Sequence, residues 1–284
     1  MATKQGSRYN IEALSKGLKV LGLFTAGSPT LTLSQIVAAL DVNKSTIFRI
    51  LSTLEDMGYL ERDPTTRLYR PSLSVLQLGF TAMNGLEVRQ VARPHLEKLA
   101  DEISETASLG VLRGTEVIYV DRVGNRAIVG LIMDAGSRLP AHCTTLGKVF
   151  LANMAPDRLD KFLEKAGLRK YTPRTISDPW ALCAKLPAIR RCGYAVCDGE
   201  LAVGLRAAGA PVHDNSGGVV AAVNVSGSSL TITQHRLKRE IVPAVVRTAA
   251  NISLGLGYNP EAPVRGPAPG IATVISRGNN DPID

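Results

Sequence analysis

The sequence predicts a mixed α+β chain of two domains, a small helical domain closed by a β-hairpin followed by a larger α/β domain. Three observations predict this. Apolar residues recur at helical spacing up to Met57, and two short strand-like runs then flank a turn at 63–66. From residue 107 onward, strand-like runs alternate with helical ones. The length, 284 residues, suits two domains.

The elements follow in order. A first helix is expected over 11–26, with Ile11, Leu14, Leu18 and Leu21 at helical spacing, Asn10 as its N-cap, and Gly27, Ser28 and Pro29 ending it. Thr32 and Gln35 form a capping box, in which hydroxyl and amide each satisfy an orphan N–H of a second helix at 33–40. Ile36, Val37 and Leu40 give that helix an apolar face. After the short turn Asp41-Val42, Asn43 caps a third helix that runs to Met57 and stops at Gly58. Strands at 59–62 and 67–70 flank Asp63-Pro64-Thr65-Thr66, a turn composition. Helix, helix, short turn, helix and hairpin make a winged helix-turn-helix, assigned to residues 10–70. Pro71 is placed to start a helix at 72–84, inside a linker at 71–85.

The second domain, 86–258, opens with a helix at 86–104. Strands are expected at 107–112, 116–123, 127–133, 207–213 and 219–226, and helices at 145–154, 157–166, 179–192 and 233–254. Pro187 and Pro243 are expected to kink or end their helices. Residues 259–284 are rich in Pro and Gly without apolar periodicity and read as a disordered tail.

No apolar run is long enough for a membrane span, and the polar start MATKQGSRYN is not a secretory signal. A cytoplasmic protein is expected. Cys143, Cys183, Cys192 and Cys197 form no C-x-x-C pair and have no His at zinc-finger spacing, so free thiols are expected and neither a metal nor a cofactor. The net charge is +8, while residues 1–84 carry nine Lys/Arg against six Asp/Glu. That balance suits a polyanionic partner without identifying one. The face of the third helix is more informative. Ile47, Ile50, Leu51 and Leu54 point to the core, which turns Ser45, Arg49 and Ser52 outward with Phe48 at the flank. Arg can fork onto guanine, hydroxyls reach bases or phosphates, and Phe meets a thymine methyl. Lys44 and Thr46, near the helix N-terminus, suit phosphate. Thr65, Thr66 and Arg67 of the wing suit backbone contacts. Asp56 marks the end of the groove-facing surface. The expected partner is double-stranded DNA.

Several stretches carry a family resemblance: GLKVLGLF, LTLSQIVAALDVNKSTIFRILSTLEDMGYLERD, ARPHLEKLADE, GSRLPAHCTTLGKVFLA and VAAVNVSGS. Over about residues 11–257 the chain resembles the IclR family of bacterial transcription regulators. RLPAHCTTLGKVFLA, the Asp198-Gly199-Glu200-Leu201 stretch, GLRAAGAPVHD and VVAAVNVS look most like the branch that senses protocatechuate and 4-hydroxybenzoate. The resemblance implies a GAF-like effector domain, homodimers that are often paired into tetramers, a near-palindromic operator, and a small carboxylate effector bound near Thr145 and Leu146. An aliphatic acid such as glyoxylate or pyruvate is the alternative.

The residues supply matching chemistry. Pro140-Ala141-His142-Cys143-Thr144-Thr145 leads into a helix, and such an entry presents free N–H groups to an anion. Thr144 or Thr145 fits both the helix cap and the ligand. Asn224 and Ser226 share one strand face, as do Val129, Leu131 and Met133, which would give an apolar wall. Family members often carry Ser where Asn224 stands, and an acid where Cys197 precedes Asp198. Arg122 is a further carboxylate partner, and Arg206 fits either that role or a salt bridge between elements. His142 and Cys143 invite a catalytic reading, but adjacent residues do not face each other, so no catalytic residue is assigned.

Overall fold

The computed structural model describes residues 10–25, 27–84, 87–124, 127–128 and 131–259. The chain divides into two compact units after residue 85.

The first unit comprises α1 (Glu12–Leu21), α2 (Leu33–Leu40), α3 (Lys44–Asp56), β1 (Leu60–Arg62), β2 (Tyr69–Pro71) and α4 (Leu73–Asn84). Its local signals act as their chemistry dictates. Gln35 N–H donates to Thr32 Oγ1 at 3.2 Å and Thr32 N–H to Gln35 Oε1 at 2.8 Å, closing the capping box. Asn43 Oδ1 accepts from Thr46 N–H at 2.8 Å at the head of α3. Val20, Ile36, Ile47, Leu51, Leu60 and Tyr69 form the core. Two boundaries differ from expectation. Helix α1 is capped at Ile11 with no side-chain bond, not at Asn10, and it stops at Leu21 because Gly22 and a Thr25–Ser28 bridge take the chain out of the helix. Pro71 pairs with Leu60 in the hairpin instead of opening α4; its missing N–H is harmless in this two-stranded edge.

The second unit runs α5 (Glu87–Ile103), β3 (Thr106–Arg113), β4 (Glu116–Val123), β5 (Ala127–Ile128), β6 (Leu131–Ile132), β7 (Arg138–Pro140), a 3-10 turn (Ala141–Cys143), α6 (Thr145–Ala152), α7 (Pro156–Lys165), α8 (Pro179–Cys192), β8 (Ala195–Asp198), β9 (Leu205–His213), β10 (Val219–Ser228), α9 (Gln234–Arg236), a π turn (Leu237–Ile241) and α10 (Val242–Gly255). Six strands form one antiparallel sheet in the order β7-β4-β3-β10-β9-β8. Because side chains alternate, each strand feeds two cores. One face packs Leu109, Val223 and Val225 against Leu96 and Leu99 of α5 and Val245 and Ala249 of α10. The other packs Val117, Tyr119 and Ala222 beneath Leu146, Val149 and Phe150 of α6 and Leu182 and Leu186 of α8. Full burial of a Leu or Val side chain contributes about 1.5–3 kcal/mol, so both faces hold the sheet.

The expected strand at 127–133 is instead a hairpin of two-residue strands, β5 and β6. Strands β7 and β8 were not expected; both are short and lie at sheet edges, where the alternation signal is weakest. Pro187 does not break α8, which continues to Cys192, because Pro187 lies on the exposed side where water can satisfy the freed carbonyl. Pro243 does disturb its run. The helix widens into the π turn just ahead of it, which relieves the clash between the proline ring and the preceding turn. Beyond Asn259 the expected tail lies outside the described residues.

Candidate functional sites

In the first unit, Lys44, Ser45, Phe48 and Arg49 are exposed on α3, and Thr46 and Ser52 are half-buried. Phe48 is 50% exposed, unusual for a large apolar side chain unless a partner covers it. The Ser45 hydroxyl donates to Asn43 Oδ1 at 3.0 Å, which orients it beside the helix N-terminus. The wing is stiff. Asp63 Oδ1 accepts from Thr65 N–H at 2.9 Å and Thr66 N–H at 2.7 Å, and the Thr66 bond, with that of Thr65, holds the Asp63 carboxyl below its ordinary value. Arg67 takes a left-handed backbone (φ 61°) at the tip, and Thr65, Thr66 and Arg67 are all exposed. Behind them the Arg62 guanidinium lies 5.2 Å from the Tyr69 ring centroid, tying the hairpin to the core. The structure thus brings the nine expected DNA-facing residues onto two surfaces of one unit, α3 and the wing.

In the second unit, a pocket lies between the sheet and the head of α6. Tyr119, Met133, Cys143, Thr144, Thr145, Cys197, Glu200, Leu201, Leu205, Ala207, Asn224 and Ser226 line it. Its geometry starts at Gly147. A Cβ there would fall 2.1 Å from the Ala141 carbonyl oxygen, so only glycine lets α6 seat directly on the 3-10 turn. Thr144 is the N-cap, with its Oγ1 accepting from Gly147 N–H at 3.2 Å and donating to the Pro140 carbonyl at 3.1 Å. Its hydroxyl proton and one lone pair are therefore already used. Thr145 Oγ1 accepts from Asn224 Nδ2 at 3.3 Å, which joins the α6 head to the middle of the sheet. Asn224 and Ser226 are 2% and 4% exposed, and Asn224 Oδ1 and Ser226 Oγ have no hydrogen-bond partner among the described residues.

Of the expected effector residues, Met133, Cys143, Thr144, Thr145, Cys197, Asn224 and Ser226 line this pocket. Others are used elsewhere. Ala141 and the Leu146 side chain belong to the core above the sheet. His142 is buried with Nε2 3.0 Å from the Arg169 carbonyl oxygen, and that burial holds its pKa below the ordinary value. Asp198 is bound by Arg206 at 3.1 Å, Arg174 at 3.2 Å and Gln234 Nε2 at 3.0 Å, so Arg206 closes a bridge between elements. Arg122 lies on β4 opposite Ser108, half-buried and outside the pocket lining. Val129 and the side chain of Leu131 lie outside the described residues. Sequence reasoning missed Tyr119, Glu200, Leu201, Leu205 and Ala207; Glu200 could have been sought as the partner of Lys148, a lysine inside an otherwise apolar helical run.

The pocket's chemistry is that of binding. Burial pushes the Cys143 and Cys197 thiols up to about 12, so both are neutral near pH 7. A neutral thiol beside an imidazole already engaged with a carbonyl is poorly suited to nucleophilic attack. The pocket offers instead the first N–H groups of α6, three side chains with unused polar atoms (Glu200, Asn224 and Ser226), and an apolar wall.

Comparison with known proteins agrees with both halves. The family model for the IclR helix-turn-helix domain matches residues 13–64, and that for the bacterial transcriptional regulator IclR C-terminal region matches residues 80–254. The chain is 32% identical over 241 residues to the Pca regulon regulatory protein of Pseudomonas putida, covering 84% of this chain and 82% of the relative. Its fold is similar to the crystal structure of an IclR transcriptional regulator from Alicyclobacillus acidocaldarius, at a TM-score of 0.75 and 29% identity over 87% of this chain and 99% of that one. It is also similar to an IclR homolog from Microbacterium hydrocarbonoxydans complexed with 4-hydroxybenzoate, at a TM-score of 0.74 and 26% identity over 86% and 98%. With a helix-turn-helix in the first unit, an effector-type domain in the second, and family matches to each, the chain belongs to the IclR family of bacterial transcriptional regulators.

Proposed function

We propose that the protein is a cytoplasmic regulator whose DNA affinity is set by a small aromatic carboxylate, of the 4-hydroxybenzoate or protocatechuate type. In this reading residues 10–70 bind DNA, 71–85 link, and 86–258 sense. Ser45, Phe48, Arg49 and Ser52 enter a major groove, Lys44 and Thr46 meet phosphate at the helix N-terminus, and Thr65, Thr66 and Arg67 meet the backbone. A homodimer, alone or paired into a tetramer, sets two such helices on a near-palindromic operator. The pocket binds its ligand without turning it over.

One observation carries the effector reading: the pocket joins the N-terminus of α6 to an apolar wall. The N-terminus of α6 and the Ser226 hydroxyl suit a carboxylate. Tyr119, Met133, Leu201 and Leu205 suit a ring, and methionine sulfur against an aromatic edge is favourable. The 4-hydroxybenzoate bound by a relative of the same fold supports the class. The ligand acts only through unequal affinity for two arrangements of the protein.

A thermal-unfolding screen over aromatic and aliphatic acids tests this. A ligand at 100 times its Kd stabilises by about 2.7 kcal/mol. An upward shift of Tm with aromatic acids supports the reading. A shift with glyoxylate or pyruvate and none with any aromatic acid replaces it with the aliphatic alternative.

A further inference from the structure

The pocket has a second polar feature that a carboxylate does not use. Glu200 stands in the turn between β8 and β9, 7% exposed. Its Oε1 accepts from Lys148 Nζ, whose side chain is 2% exposed. Burial works against the Lys148 ammonium, but the Glu200 carboxylate against it favours the charged form, and its pKa sits above the ordinary value. The second oxygen, Glu200 Oε2, is buried and has no hydrogen-bond partner among the described residues. An ionised carboxylate only accepts, so this atom calls for a donor. Asn224 Oδ1 is a second buried acceptor in the same position. An anionic ligand headgroup is itself acceptor-only and cannot satisfy either.

Glu200 is also held in place. Thr175 Oγ1 donates to the Glu200 carbonyl at 2.6 Å and Thr172 Oγ1 to the Gly199 carbonyl at 2.6 Å. The Thr175 hydroxyl is fixed in turn by the N–H groups of Tyr171 at 3.0 Å and Thr172 at 2.8 Å. With its backbone clamped and one oxygen on Lys148, the side chain is pre-organised toward the pocket.

We infer that Glu200 is a specificity-determining residue that accepts a hydrogen bond from a ring hydroxyl, so that the pocket selects hydroxylated aromatic acids over acids lacking a donor. This rests on the aromatic-acid reading above and adds a demand to it. A ligand without a donor buries Glu200 Oε2 unsatisfied, whereas a hydroxyl completes it; sites built this way discriminate strongly against the analogue that lacks the group.

Isothermal titration of the full-length protein with benzoate, 4-methoxybenzoate, 3-hydroxybenzoate, 4-hydroxybenzoate and 3,4-dihydroxybenzoate tests the inference. At least one hydroxylated acid is expected to bind about 10- to 100-fold tighter than both benzoate and 4-methoxybenzoate. Equal affinities overturn the role of Glu200 and leave the aromatic-acid reading standing; no binding by any of the five removes both. Single replacement of Glu200 strands Lys148, so the variant to use is Lys148→Met with Glu200→Met. Its preference for the hydroxyl is expected to fall to about threefold or less, the loss of one charge-assisted hydrogen bond. A preference kept in full by the folded double variant overturns the inference. If that variant does not fold, the wild-type series decides.

Discussion

Replacing Lys148 alone with Met tests whether the ion pair in the pocket wall is as dry as its burial implies. The side chains of Lys148 and Glu200 are 2% and 9% exposed. Methionine matches the lysine stem in length and shape, so packing is nearly conserved and the change isolates the charge. What remains is a carboxylate in a low-dielectric wall without its counter-ion. Breaking a buried pair from one side costs about 3–5 kcal/mol. In a unit of this size each kcal/mol moves Tm by about 2–4 °C, so Tm should fall by roughly 6–20 °C. Urea unfolding followed by circular dichroism gives the free energy, and a calorimetric scan gives Tm. The paired control is Lys148→Met with Glu200→Met, expected to lie within about 2 kcal/mol of the parent or above it, since replacing both charges of a buried pair is often neutral or stabilising. A single variant within about 1 kcal/mol of the parent would refute the reasoning, because it would mean that water screens the pair.

Other expectations are more direct. Arg49→Ala should weaken binding to an operator duplex recovered by in vitro selection by about 1–3 kcal/mol while leaving unfolding unchanged, read by fluorescence anisotropy; unaltered affinity removes Arg49 from the interface. Binding of the parent to the same duplex should fall linearly on a log–log plot against salt, and a flat plot counts against phosphate contacts. The Asp198 carboxyl is held below its ordinary value by Arg206 first, then by Arg174 and Gln234. Its stabilising effect is therefore present above the unfolded-state pKa and lost as pH falls through the folded one. Asp198→Asn should be less stable than the parent at pH 7 and approach it in acid, and an offset constant with pH contradicts the bridge. Gly147→Ala should destabilise the second unit by more than about 3 kcal/mol or prevent its folding, because the new methyl meets backbone that cannot rotate away; near-parental urea unfolding would overturn the seating of α6.

The parts of the fold that were legible in the sequence were those set by local chemistry. The capping box at Thr32 and Gln35, the cap at Asn43 and the turn at Asp63 each satisfy their own backbone within a few residues, so the sequence states them directly. The longer strands β3, β4, β9 and β10 declare themselves by composition. Where the outcome depends on distant partners, it was hidden. Tyr119 is one example. The pairing of β3 with β4 shifts between Leu109 and Gly110, so that Tyr119 faces the pocket while Asp121 turns to Arg89 and Arg93 of α5. A strict period of two from Val117 places Asp121 and Tyr119 on the same face, and nothing local marks the bulge. Arg206 and Asp198 were visible as charged residues, but their choice of each other over a ligand depends on the pairing of β8 with β9.

Strand β10 limits how this sensor can change. Asn224 and Ser226 look into the pocket, and their immediate neighbours Val223 and Val225 are fully buried in the opposite core. Inserting or deleting one residue along this strand exchanges the two sets, placing valines against the ligand and polar groups in an oily interior. New ligand preferences can therefore be reached here by exchanging side chains one at a time, and a shift of reading frame within the strand is closed to selection. Among homologues, length changes should collect in the connecting loops, while residues at the positions of 224 and 226 vary in chemistry at constant spacing.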